Sequence, residues 1–264
     1  MIFSQLLASA RRENDALLLD VPSDWMQGRS AFGGLQAAFA VQAMRLLEPD
    51  APLRTLQATF VAPVSGSMRV RAQLLRRGKN TAHVEARIGD DSATHSLFVG
   101  VFGTPRRSAV ARVIAEPAFE VDPSRVFEKK FGDRAALTNT SFTRHFQVRW
   151  LRGKPPFMGD PETQHVLEIA IDDEGSGSEA HLIAIADFIP PIAFSQLETP
   201  ATGSTLTWML ELLSDRLREL PLQGYHVHAE LVAARDGYTD QSLTVFSPSG
   251  EALALGRQSM LVFG

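Results

Sequence analysis

The sequence predicts an α+β fold built from two copies of one unit, each a long apolar helix followed by an antiparallel meander. Three observations carry this reading. Residues 68–103 (MRVRAQLLRRGKNTAHVEARIGDDSATHSLFVGVFG) and 225–264 (YHVHAELVAARDGYTDQSLTVFSPSGEALALGRQSMLVFG) follow one plan: an alternating strand, a turn at Gly78 or Gly237, further strand-like segments, and a stop at Val-Phe-Gly. Upstream, each copy has a Thr-Leu pair opening another strand (Thr55-Leu56, Thr205-Leu206) and an Ala-rich helical stretch (Leu35–Leu47, Glu179–Phe188). No regular β-α alternation runs along the chain, so a parallel sheet is not expected.

The elements follow in order. Phe3–Ala10 reads as a short helix or strand and Ala16–Val21 as a strand, ended by the polar turn at Pro22-Ser23. Gly33-Gly34 opens the first strong helix, LQAAFAVQAMRLL, which Pro49 limits. Small and apolar residues run nearly all round it, so it should be buried on most sides. Strands are expected at Thr55–Val61, Met68–Leu75, Thr81–Ile88 and Ser96–Phe102. The clearest alternation is Met68-Val70-Ala72-Leu74, with arginines at 69 and 71 on the other face. Residues 104–140 mix Pro, charge and Ala and read as a connection, with a short helix at its start an open option. The second copy opens with a strand over Phe142–Leu151, then a Pro-rich loop GKPPFMGDP and the strand His165–Asp172. DEGSGSEA turns into the helix HLIAIADFIPP, where Pro190-Pro191 limits regular hydrogen bonding. Thr205–Leu213, Tyr225–Ala233, Gln241–Phe246 and Ala252–Phe263 close the sheet. The expected division is an N-terminal repeat over 1–105, a connecting segment over 106–139 and a C-terminal repeat over 140–264.

Composition narrows the function classes. With 264 residues, 44% apolar and 21% charged, the chain is an ordinary globular one. A formal charge of -4 argues against nucleic acid as the main partner. The absence of cysteine removes disulfides, thiolate metal sites and a Cys nucleophile, and fits a cytoplasmic location. The N-terminal stretch lacks the basic start and apolar core of a signal peptide, and no apolar run approaches the ~20 residues of a membrane helix. His226 and His228 share a strand face with no evident third ligand, so no metal site is expected. Walker-type and Gly-x-Ser-x-Gly motifs are both missing.

Comparing the halves locates the polarity. Aligning the helices at an offset of about 145 sets Asp187 on Gln42, and Ser178-Glu179 on Gly33-Gly34. The Thr-Leu pairs set Thr205 on Thr55, and the Val-Phe-Gly ends set Gln258 opposite Leu97. An acid among Ile183, Ile185, Ala186, Phe188 and Ile189 is costly unless hydrogen-bonded or useful. On the residues alone, Asp187 also fits an acid at a helix end facing solvent or the seam between repeats. Thr205 and Gln258 each fit a plain strand residue, and Gly33-Gly34 a turn.

The segments GRSAFGG-LQAAFAVQA, ADFIPP, GSTLTW and ARDGYTDQSLTVFSPSGEALALGRQSMLVFG together resemble the acyl-CoA thioesterase II family, over most of both halves and least between about 104 and 140. The closing stretch is the most specific. The resemblance implies a tandem (double) hotdog, each repeat a central helix wrapped by an antiparallel sheet. It implies acyl-CoA hydrolysis, with an Asp, a Thr and a Gln of the second repeat positioning the attacking water. By position these are Asp187 in ADF, Thr205 in STL and Gln258 in GRQ. The strand after Thr205 departs from the bacterial pattern by carrying Thr-Trp-Met.

The chemistry fits such residues. Thioester hydrolysis needs an activated water and a stabilised oxyanion, while a thiol of pKa about 8.5 leaves without a strong acid. Backbone N–H groups at Gly33 and Gly34 are candidate oxyanion donors. Phe32, Phe39, Trp208 and Met209 are expected to line the acyl tail. No cofactor is expected beyond the coenzyme A of the substrate. Exposed sheet edges allow a homo-dimer or larger homo-oligomer. Two rivals stand beside this reading. A non-catalytic acyl-CoA or lipid-binding protein would keep the pocket without turnover. A hydratase or dehydratase would need an Asp–His pair, yet His181 and Asp187 lie six apart and off one helical face.

Overall fold

The computed structural model describes residues 1–121, 123, 126–130, 140–214 and 220–263. The first half contains α1 (Phe3–Ala8), β1 (Arg11–Glu13), β2 (Ala16–Asp20), the small hairpin of β3 (Met26–Gln27) and β4 (Ser30–Ala31), and α2 (Gly33–Arg45). It closes with β5 (Leu53–Phe60), β6 (Ser67–Arg77), β7 (Thr81–Gly89) and β8 (Thr94–Gly103). The second contains β9 (Phe127–Lys130), β10 (Phe146–Arg152), β11 (Gln164–Ile171), α3 (Glu179–Asp187) and α4 (Ala193–Gln196). It ends with β12 (Thr202–Leu212), β13 (Tyr225–Arg235), β14 (Tyr238–Phe246) and β15 (Ala252–Phe263).

Alternation builds the sheet. Tyr225, Val227 and Ala229 of β13 are buried, as are Gln241, Leu243 and Val245 of β14. All pairings are antiparallel, and the strand order is β1-β2-β6-β7-β8-β5-β12-β15-β14-β13-β11-β10-β9. That order reads nearly the same from either end, as a duplicated unit should. The two units meet where β5 pairs with β12, so they share one continuous sheet.

The helices form the core beneath it. α2 is buried over Gly34–Val41 and again at Ala43 and Met44, leaving no polar face for water. It packs on β6, β7 and β8 and lies against α3. The two helices run antiparallel: the start of α2 meets the end of α3 at Gly33–Asp187, and the end of α2 meets the start of α3 at Arg45–Glu179. Gly34 permits this approach, because a Cβ there would sit 3.0 Å from the Ala184 Cα.

The segment between the repeats does more than connect. Phe127–Lys130 adds an edge strand against β10, and Ala115 bridges Glu251. The Glu116 Oε1 accepts hydrogen bonds from His226 Nδ1 (2.7 Å) and His228 Nε2 (2.8 Å), and the Phe119 ring meets both imidazoles edge-on. A polar, Pro-rich stretch hid this docking, since its partners lie more than a hundred residues away. No helix occupies residues 104–121. Residues 131–139 of the expected connection lie outside the described residues. Among the described residues no helix is long and apolar enough to cross a membrane.

Candidate active site

Local structure brings the three predicted side chains to one pocket. α3 ends at Asp187, facing the first turn of α2, where the nearby Gly34 N–H favours the charged carboxylate. The position is favourable twice over, because unpaired N–H groups and the positive end of the α2 dipole both point there. Gly33 makes room: a Cβ at that residue would lie 2.7 Å from Asp187 Oδ2. Gln258 reaches in from β15, its Nε2 donating to Asp187 Oδ1 at 2.8 Å. Thr205 arrives by a different device. A β-bulge in β12 at Leu206 puts Thr205 opposite Met260 and Trp208 opposite Gln258. The extra residue turns Thr205 onto the same inner face as Trp208, which plain alternation would forbid.

The pocket has a volume of about 210 Å³ and is lined by Gly33, Gln36, Phe60, Asp187, Thr205 and Gln258, among others. Asp187 is enclosed except where it opens to this space. Burial pushes its carboxyl from 3.8 up to about 7, against the pull of the Gly34 N–H and the Gln258 amide. Among the described residues no other titratable side chain lines the pocket. The Thr205 hydroxyl has no protein partner among them either, so it is open to a bound water. A carboxylate with a pKa near neutrality beside a free hydroxyl suits general-base activation of water.

Behind the trio stands a residue that the sequence reading missed. The Ile192 N–H donates to Gln241 Oε1 at 3.0 Å, and Gln241 Nε2 donates to Gln258 Oε1 at 3.0 Å. Gln241 is fully buried. The available signal was its phase: it sits on the inward parity of β14 with Leu243 and Val245, where a polar residue is costly.

The sheet also corrects the comparison of halves. Both repeats carry a bulge just after Leu74 and Leu231. From those anchors the cross-strand rows are Leu74–Val84–Gly100–Leu56 in the first repeat and Leu231–Gln241–Gln258–Trp208 in the second. Gln258 therefore matches Gly100, not Leu97. A second pair of bulges, at Arg54 and Leu206, sets Leu53↔Phe102 against Thr205↔Met260. Thr205 matches Leu53, not Thr55. The shared Thr-Leu dipeptide misled because a bulge changes the count without changing the letters. The first-repeat counterparts of Thr205, Gln258 and Gln241 are thus Leu53, Gly100 and Val84, while the helix alignment keeps Gln42 opposite Asp187.

At the counterpart place the chain has built a clasp. Arg45 pairs with Glu179 through two hydrogen bonds of 2.6 and 3.1 Å, binds the carbonyl of Ala51 at 2.6 Å, and lies over the Phe102 ring. The adjacent groove, about 750 Å³, includes Gln42, whose Nε2 donates to the Leu7 carbonyl.

Other expected residues fall elsewhere. Phe32 caps α2 and stacks on Phe142 at 4.1 Å, fully buried behind the pocket. Trp208 is buried beside Gln258 but is not part of the pocket wall, and Phe39 is likewise buried. Met209 points to the other face of the sheet and is 42% exposed, as its place next to inward Trp208 requires. Of the two glycines, Gly33 lines the pocket while the Gly34 N–H is directed at Asp187 instead of open space. His181 binds Asp173 and Ser178, about 9 Å along the helix from Asp187. Among the described residues no group of His, Cys, Asp or Glu is arranged to hold a metal.

Comparison with known proteins agrees with this architecture. No curated protein sequence matches the chain. A hotdog-fold protein of unknown function from Alicyclobacillus acidocaldarius superposes with a TM-score of 0.86 at 21% identity, covering 99% of this chain and 98% of the other. A putative thioesterase II from Thermobifida fusca gives 0.77 at 16% identity, covering 99% and 97%. An acyl-CoA thioesterase II from Mycobacterium marinum gives 0.72 at 14% identity, covering 99% and 98%. These likenesses establish the fold as a double hotdog. The family model of the acyl-CoA thioesterase N-terminal domain matches residues 21–104 and that of the C-terminal domain residues 120–262. With both domain models matched in order on the two halves of one sheet, the chain belongs to the acyl-CoA thioesterase family.

Proposed function

We propose that this protein hydrolyses acyl-CoA to the free acid and coenzyme A by direct attack of a water on the thioester carbonyl. The observation that carries the proposal is the Asp187 carboxylate: held by Gln258 and the start of α2, poised near neutral pH, and open to a pocket shared with Thr205. Asp187 takes one proton as the water oxygen bonds to the carbonyl carbon. Thr205 donates or accepts a hydrogen bond to orient that water. The tetrahedral oxyanion lies toward the first turn of α2, where Gly33 allows close approach and the helix dipole favours negative charge. Collapse breaks the carbon–sulfur bond. The thiolate, of pKa about 8.5, recovers the proton from the Asp187 carboxylic acid, which restores the base.

The family membership and the site geometry together favour turnover over mere binding, because a binding module needs no near-neutral carboxylate beside a free hydroxyl. A dehydratase reading lacks an Asp–His pair in this pocket, which no His lines among the described residues; His181 is tied to Asp173 instead. The test is thiol release from short, medium, long and aryl acyl-CoAs by the wild type and Asp187→Asn. The account expects turnover in the wild type and a loss of at least about a hundredfold in the folded variant. Equal rates would remove Asp187 from the mechanism, and binding without release would assign the protein to the non-catalytic class.

A further inference from the structure

We infer that Gln241 is a positioning residue that sets which end of the Gln258 amide faces Asp187. The Ile192 backbone N–H fixes the polarity of the whole relay. A backbone N–H can only donate, so the Ile192 N–H, 3.0 Å from Gln241, fixes the oxygen end of that amide. The Gln241 nitrogen end must then face Gln258, at 3.0 Å. It can only donate, so the Gln258 oxygen turns toward it and the Gln258 nitrogen turns to Asp187 at 2.8 Å. Each amide has one allowed orientation. A Gln258 with the opposite orientation would set a carbonyl oxygen against the carboxylate.

The burial supports a role that packing alone does not explain. Gln241 is 0% and Gln258 2% exposed, and a buried amide with poor partners costs more than an apolar side chain of similar volume. The first repeat shows what the same sheet row holds without an acid to serve. Val84 stands in place of Gln241 and Gly100 in place of Gln258, and the alignment of the two helix sequences sets Gln42 in place of Asp187. The polar row is present only in the repeat that has the carboxylate.

The electrostatic surroundings of Asp187 leave this relay little competition. α2 presents Gly33, Gly34 and Gln36 around the carboxylate, β5 Phe60, β12 Thr205, and β15 Gln258 and Met260, none of them charged. A fixed donor therefore weighs directly on the proton affinity of Asp187. Losing its orientation favours the neutral acid and moves the titration upward. A hydrogen bond to a charged group is worth enough to move a midpoint by about one pH unit when it is lost.

Two variants test this, Gln241→Met and Gln241→Leu, both of which remove the donor to Gln258 without adding a charge. The first readout is the ¹³C carboxyl titration of Asp187 in substrate-free protein, assigned with Asp187→Asn. It needs no turnover, so it stands whether or not the thioesterase reading above holds. The expected result is a midpoint raised by about 0.5–1 pH unit in both Gln241→Met and Gln241→Leu. The second readout, which rests on that reading, is the pH profile of kcat on an acyl-CoA. The same upward shift is expected, with kcat reduced about three- to tenfold at pH 7, recovery toward the wild-type plateau at high pH, and little change in KM. A midpoint equal to that of the wild type in both variants overturns the inference, as does a kcat loss that is uniform across pH and accompanied by a lower Tm. If only one variant folds, its titration decides. Absence of thiol release from the wild type overturns the thioesterase reading alone.

Discussion

Replacing Asp187 by Asn should make the protein more stable above neutral pH while abolishing its activity. In the folded chain, burial raises the Asp187 pKa to about 7, against 3.8 for the free side chain. The folded state therefore keeps its proton between those values while the unfolded chain has lost it. Stability from this group is fully present below pH 3.8, declines as pH rises, and is gone above pH 7. The difference of about 3 pH units corresponds to roughly 4 kcal/mol against the fold at pH 8.5. Asn carries no charge and keeps one acceptor, but its NH₂ faces donors, which costs about 1–2 kcal/mol. A net gain of roughly 2–3 kcal/mol remains. For a chain of this size that is a Tm higher by about 5–10 °C at pH 8.5. The assay is thermal unfolding of both proteins from pH 4.5 to 9, with thiol release on the same samples. The gain should shrink steadily toward the acid end. A variant less stable than the wild type at pH 8.5, or a gain independent of pH, would refute the claim that a desolvated carboxylate is held there.

Three further outcomes follow from the packing. Gly33→Ala would set a methyl carbon 2.7 Å from Asp187 Oδ2; kcat should fall about 10–100-fold, with Tm within a few degrees, as steady-state kinetics and calorimetry will show. Thr205→Val removes only the hydroxyl, so kcat should fall about 10–100-fold with KM nearly unchanged, while Thr205→Ser restores most of the rate. Arg45→Met breaks the half-buried pair with Glu179 and uncovers the Ala51 carbonyl. It should lower stability by about 2–4 kcal/mol, measured by urea unfolding, and leave kcat/KM at 20 °C unaltered, because that end of the helix pair carries no chemistry.

Much of the architecture was legible because it depends on local patterns. Apolar surroundings on every side of Leu35–Met44 meant a buried helix, and alternation in Met68–Leu74 meant a half-buried strand. Asp187 stood out as a charge within an apolar run, Thr205 and Gln258 were singled out beside it only through the family resemblance, and the Gln258–Asp187 hydrogen bond emerged from the structure. The failures have a common cause in long-range structure. Bulges at Arg54 and Leu206 shift the register in ways no letter records, so Thr205 was matched to Thr55 instead of Leu53. Met209 was expected in the acyl site, yet strand parity beside Trp208 sends it to the exposed face. Gln241 gains meaning only once three strands and the turn at Ile192 come together. The edge strand Phe127–Lys130 exists because β10 offers it a partner, and its own composition does not announce it.

Isotope tracing of a single turnover tests the central claim most directly. With enzyme in excess over acyl-CoA in H₂¹⁸O, direct water attack places one ¹⁸O in the carboxyl group of the released acid from the first turnover. The Asp187 peptide then stays unlabelled after many turnovers. An unlabelled acid in the first turnover, with ¹⁸O appearing in the Asp187 carboxyl, would mean that the carboxylate itself attacks the thioester and that water enters only afterwards.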